Sequence, residues 1–148
     1  MTSAIMSSLH VLALALGLPA VFLRGRALKG ALDGDGLRRL LAADNVWGLA
    51  AVLWIVTGLL RAFGGLEKGT EFYLQSRLFW VKMTLFVAVL LLEIRPMVTF
   101  IRWRIQLGRG QSVDTSPARA LYTINHVELA IVVIMVFVAS FMARGFGH

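Results

Sequence analysis

Apolar residues dominate four long runs of the chain, at about residues 4–24, 44–63, 76–105 and 118–143, and polar residues collect in the short stretches between them. Roughly 20 consecutive apolar residues suffice to cross the hydrocarbon core of a bilayer as a helix. The pattern therefore predicts an all-α integral membrane bundle of four transmembrane helices, forming a single domain over 1–148. The third run, RLFWVKMTLFVAVLLLEIRPMVTFIRWR at 77–104, is the least uniform, because Lys82, Glu93 and Arg95 interrupt it. Ionised side chains at membrane depth cost several kcal/mol unless they are partnered. Lys82 and Glu93 are eleven residues apart, close to three turns, so they share one helix face with Phe86 and Val89. That face is expected to look into the bundle.

The connections carry their own signals. RGRALKGALDGDGLRRLLAAD, after the first run, holds a glycine-rich turn and then a short amphipathic piece, with Leu37, Leu40 and Leu41 flanking Arg38 and Arg39. This piece is expected to lie separately in the headgroup region. The DGDG at 33–36 has the start of a calcium-loop pattern, but Leu37 and Arg38 follow where oxygen ligands and a glycine are needed, which excludes that reading. Asp44 is the expected N-cap of the second helix, and Gly48, Ala51 and Gly58 are small residues of the kind that allow close helix approach in lipid. GGLEKGTEFYLQS is read as a loop ending in an interfacial aromatic belt at Phe72 and Tyr73. Pro19 falls near the end of the first helix, and Pro96 is expected to bend the third.

Composition strengthens the membrane assignment. Of 148 residues 58% are hydrophobic and 16% charged, with a mean hydropathy of +0.77, too apolar for a soluble domain of this size. Without cysteine there is no disulfide framework and no thiolate metal site. The net charge of +7 does not point to nucleic acid, since the basic residues sit in short loops between apolar runs, where they set orientation. Arg24, Arg26, Lys29, Arg38 and Arg39 flank the first connection, and Arg102, Arg104, Arg109 and Arg119 the third. The positive-inside rule then puts both connections, with the amphipathic segment, in the cytoplasm and both termini outside. The N-terminal run lacks a basic leader and has its positive charges after it, as a retained first helix does. The expected location is a bacterial inner membrane.

Two polar layers follow from helix rise. At about 1.5 Å per residue, His10 and Lys82 each lie roughly 10 Å in from the outer face. Asp44, Glu93, Arg95, Asn125, His126 and Glu128 form an inner layer. There His126 and Glu128, about 200° apart on one helix, cannot both point inward. The inner layer reads as structural ion pairs, such as Glu93 or Glu128 with Arg95 or Arg24, and His126 as a headgroup-level hydrogen-bonding residue. The outer layer has two readings. In one, Lys82 snorkels to the headgroups and His10 bonds a hydroxyl or backbone group. In the other, His10 and Lys82 converge on a cofactor or substrate, with His10 as a metal ligand to haem b and Lys82 as a second ligand or the partner of a propionate.

The run LAADNVWGLAAVLWIVTGLLRAF, followed by FYLQSRLFWVKMTLF, closely resembles a bacterial family of four-helix membrane proteins known as a domain of unknown function, over nearly the whole chain. More distantly, the LHVLAL context of His10 and the Trp80-Val81-Lys82 segment are similar to the bacterial haem-binding, four-helix protoporphyrinogen oxidase family. That resemblance implies haem b on His10 and Lys82 and oxidation of a porphyrinogen in the membrane. Arg119, Asn125 and Glu128 echo that family's last helix only loosely, and its sequence after the first helix is absent here. The residues complete no catalytic constellation, so enzymatic activity is left open. The leading expectation is a membrane protein binding haem b between its first and third helices in a redox or porphyrin-related role; the alternative is an accessory or scaffolding subunit of a larger membrane complex or homo-oligomer. A small transporter is a third possibility, one that four helices would support only as an oligomer.

Overall fold

The computed structural model describes residues 1–65 and 69–147. The lysine and glutamate of the GGLEKG stretch lie outside the described residues. Five helices follow one another: Thr2–Lys29 (α1), Gly34–Phe63 (α2), Thr70–Gln75 (α3), Arg77–Gly108 (α4) and Ala118–Ala143 (α5). Among the described residues there is no strand. Helices α1, α2, α4 and α5 are long and apolar enough to cross a membrane. At 28, 30, 32 and 26 residues each exceeds the roughly 20 needed; α1, α2 and α4 extend beyond their apolar runs, and α5 coincides with its own.

Two boundaries differ from the sequence expectation. The amphipathic piece is not separate: α2 starts at Gly34 and runs through it without a break to Phe63. Asp33 caps this helix, its carboxylate accepting from the backbone N–H of Gly36 at 2.8 Å. Asp44 is therefore mid-helix, and its carboxylate is left for tertiary contacts. Leu37 and Leu40 do not face headgroups either; they are buried against Leu28, Phe100, Trp103 and Leu121. The second difference is α3, a six-residue helix where a loop was expected. It buries Tyr73 against Phe79 and Met142.

The turn from α1 to α2 depends on Gly36, because a Cβ there would lie 1.9 Å from the carbonyl oxygen of Ala31. Neither atom sits on a flexible side chain, so the turn itself would have to move. Gly36→Ala is expected to cost about 1–3 kcal/mol, the usual range for a destabilising substitution, read as a lowered thermal transition in detergent. An unchanged transition would show that the turn is not held as described.

Helix α1 packs on α2 and α5, and α5 packs on α4, giving the order α2, α1, α5, α4 around the bundle. Helices α2 and α4, at the two ends of this open ring, are not among the closely packed pairs. They are joined instead through two separate sets of contacts. In one, α3 packs on both; in the other, Arg104 of α4 donates to Asp44 and Asn45 of α2 at 2.7 and 2.8 Å. The core is stacked along the bundle in three groups. Leu28, Leu37, Leu40, Phe100, Trp103 and Leu121 fill one end, Ala20, Val21, Trp47, Val89 and Val132 the middle, and Tyr73, Phe79 and Met142 the other end. Large apolar side chains such as Leu12, Leu49, Leu91 and Phe137 point outward and are exposed, as lipid-facing residues are. The tail folds back on the bundle, the carbonyl of Gly147 accepting from the N–H of Arg77 at 2.8 Å.

Candidate functional site

The inward stripe of α1 runs His10, Ala13, Gly17, Val21, Arg24 at steps of three and four residues, the spacing of one helix face. It has small residues in the middle and a polar group at each end. Gly17 lets the ring of Trp47 come close, since a Cβ there would sit 3.3 Å from it. The two polar ends of the stripe build two distinct sites.

At the end nearer the termini, His10 and Lys82 line one cavity of about 190 Å³ between α2 and α4. The expected outer pair is thus brought to a common space from α1 and α4. Arg61 adds a third basic group, and the remaining wall is mostly aromatic, aliphatic and sulfur-bearing, with Trp54, Phe79, Phe86, Met135 and Ala139 prominent. His10 is held from two sides. Its Nδ1 lies 2.8 Å from the hydroxyl of Thr57, and that hydroxyl has its own proton committed to the carbonyl of Leu53 at 2.7 Å. The Thr57 oxygen therefore accepts, Nδ1–H donates, and the tautomer is set by this contact. The ring also stacks tilted on Trp54 at 5.7 Å and passes so near α2 that a Cβ on Gly58 would be 3.3 Å from its Cε1.

At the other end Arg24 is completely buried and uses all five of its N–H groups. Nε donates to Asn125 at 2.7 Å; Nη1 to Asp44 at 2.9 Å and Glu93 at 2.7 Å; Nη2 to Glu93 at 2.9 Å and Glu128 at 2.7 Å. Its guanidinium lies over the rings of Trp47 and Phe100, at 5.8 and 5.7 Å, within the roughly 6 Å over which a ring face attracts a cation. One side chain of α1 is in this way tied to α2, α4 and α5. Asn125 adds a further link, donating to the carbonyl of Val21 at 2.9 Å.

Of the inner polar layer expected from sequence, Asp44, Glu93 and Glu128 meet on Arg24, whereas Arg95 and His126 do not join them. Arg95 is exposed, because two residues beyond Glu93 is about 200° around the helix. His126 is exposed for the same reason relative to Glu128, and its ring packs on Tyr122 at 4.1 Å. Arg24, expected both as a charge of the first connection and as a partner for Glu93 or Glu128, is the latter. Helix α1 continues to Lys29, so Arg24 is in the bundle and not in a loop. A signal for this was present: three carboxylates in apolar runs require a cation, and Arg24 is on the His10 stripe. Arg104, counted likewise as a loop charge, reaches back to Asp44.

Neither a curated protein nor a solved structure matches the chain, and the likeness to the haem-binding oxidase family has no support from them. A family profile does match, over residues 2–147, nearly the full length that the four helices and both sites occupy. The chain belongs to the family of predicted membrane proteins designated DUF2214.

Proposed function

We propose that this is a membrane-embedded ligand-binding protein whose cavity takes a small amphiphile with an acidic head. One observation carries the reading. An imidazole, an ammonium and a guanidinium border a cavity whose other walls are apolar, the combination of apolar walls and a few placed polar groups that ligand sites use. The head would sit beside His10 and Lys82, and the tail would leave between α2 and α4, which lack close packing with each other. Titration of the protein in lipid nanodiscs with decanoate and with decanol tests this. Hydrogen bonds to charged groups contribute about 1.5–3 kcal/mol, so the acid is expected to bind at least about 10-fold more tightly than the alcohol. Equal binding of the two, or binding no different from empty nanodiscs, would remove the reading.

Haem b is a second reading with one observation in its favour: the Nδ1 of His10 is held by Thr57, as the distal nitrogen of a ligating histidine is held by an outer-shell partner. The volume opposes it. About 190 Å³ is below the roughly 300 Å³ at which pockets for drug-sized ligands begin, which weighs against a group as large as haem. An absorption spectrum after haem-sufficient expression separates the readings. A Soret band that disappears in His10→Ala would favour haem; its absence is expected here.

The charge count of the connections supports both termini, and hence the cavity, facing the outside of a bacterial inner membrane. Because the chain has no cysteine, single cysteines can be read without background. In intact cells Thr2→Cys is expected to react with an impermeant maleimide and Gln111→Cys to react only after lysis. The reverse pattern would invert the topology.

A further inference from the structure

The charges around Arg24 do not balance. Facing one another are Arg24 of α1, Asp44 of α2, Glu93 and Arg104 of α4, and Glu128 of α5: two guanidiniums against three carboxylates, a net charge of −1 if all are ionised. His126 of α5 is exposed and packs on Tyr122, and Arg95 of α4 is exposed as well. Glu128 is fully buried, and while its Oε2 accepts from Arg24, its Oε1 has no hydrogen-bond partner. Arg24 has no N–H left to offer it. Glu93 and Glu128 accept from the same nitrogen, Nη2 of Arg24, at 2.9 and 2.7 Å, which sets their carboxyl groups side by side.

We propose that this cluster is a proton-binding site, in which Glu128 and Glu93 share one proton. A proton on this pair brings the cluster to two positive and two negative charges. It also turns the contact between two acceptors into a donor–acceptor hydrogen bond and makes the orphaned Oε1 part of a neutral group, whose burial costs far less than that of a carboxylate. A metal ion is a poor fit, since among the described residues no group of three or more metal-ligating side chains is arranged to hold one. Loss of the proton would leave an uncompensated charge that the saturated Arg24 cannot absorb, so release requires α4 or α5 to move away from α1 or water to enter. The site stands on residues distinct from the cavity, and neither reading depends on the other.

Infrared spectroscopy of the full chain in nanodiscs tests it through the C=O stretch of protonated carboxyl groups. Expected at neutral pH is one such band, sensitive to deuterium exchange and absent from both Glu128→Gln and Glu93→Gln, each of which leaves the cluster neutral without the proton. Both variants should fold, with thermal transitions close to that of the unmodified chain. No protonated-carboxyl band at neutral pH, a band that survives in both variants, or failure of both variants to fold would overturn the proposal. If one variant alone fails to fold, the band in the other decides.

Discussion

Replacing Arg24 with alanine is expected to prevent recovery of a folded monodisperse protein, or to lower its stability by about 3–5 kcal/mol, the usual cost of removing one partner from a buried ion pair. The large figure follows from what remains. Asp44, Glu93 and Glu128 would stay close together, with Glu128 fully buried, and the side chains of Asn125, Trp47 and Phe100 would face the space left by the guanidinium. Arg24→Lys should recover only part of the loss. An ammonium retains the charge but has three donors in place of five and cannot span carboxylates on three helices in the planar arrangement seen here. Thermal unfolding in a mild detergent, followed by size-exclusion chromatography, checks both variants. If Arg24→Ala behaved like the unmodified chain, the guanidinium would not be what ties α1 to its three neighbours.

The second large effect is expected at the cavity. Ala139→Phe places a ring in the space bordered by His10 and Lys82 while leaving the Arg24 cluster, on the far side of Trp47 and Val132, untouched. Decanoate binding is expected to be lost beyond detection with the thermal transition kept. Lys82→Met, which keeps the length of the side chain and removes its charge, should instead preserve some binding and abolish the preference for acid over alcohol, a loss of about 10-fold or more. The two variants separate room from charge: one removes the space for any occupant, the other the reason for choosing an acidic one. Unaltered decanoate affinity in Ala139→Phe would mean that the amphiphile binds elsewhere on the lipid-facing surface.

How much of this was written plainly in the sequence depends on the length scale. Four apolar runs require four spanning helices because unsatisfied backbone groups are too costly in lipid, and the eleven-residue spacing of Lys82 and Glu93 fixed one inward face of α4. Helix ends were harder, because they lie where hydrophobicity fades while hydrogen bonding continues. Arg24, and the stretch of α2 before Asp44, are helical in polar sequence and are held there by Asp33 and by the close turn at Gly36. His10 and Lys82 were expected at equal depth in two helices, a one-dimensional argument, and both line the same cavity. The convergence on Arg24 needed rotation as well as depth. Rotation excludes Arg95 and His126, and it admits Asn125 and Arg104, whose partners are 101 and 60 residues away in the chain.

The proposed amphiphile site is the space between α2 and α4, with its polar end at His10 and Lys82. The most direct measurement is a structure of the protein in complex with 2-bromodecanoate, in which the bromine marks the position of the head. The prediction is bromine density inside the cavity, beside the Lys82 ammonium and within the ring of Trp54, Phe86 and Met135. Bromine found only against the outward faces of the helices, with the cavity unchanged, would contradict it.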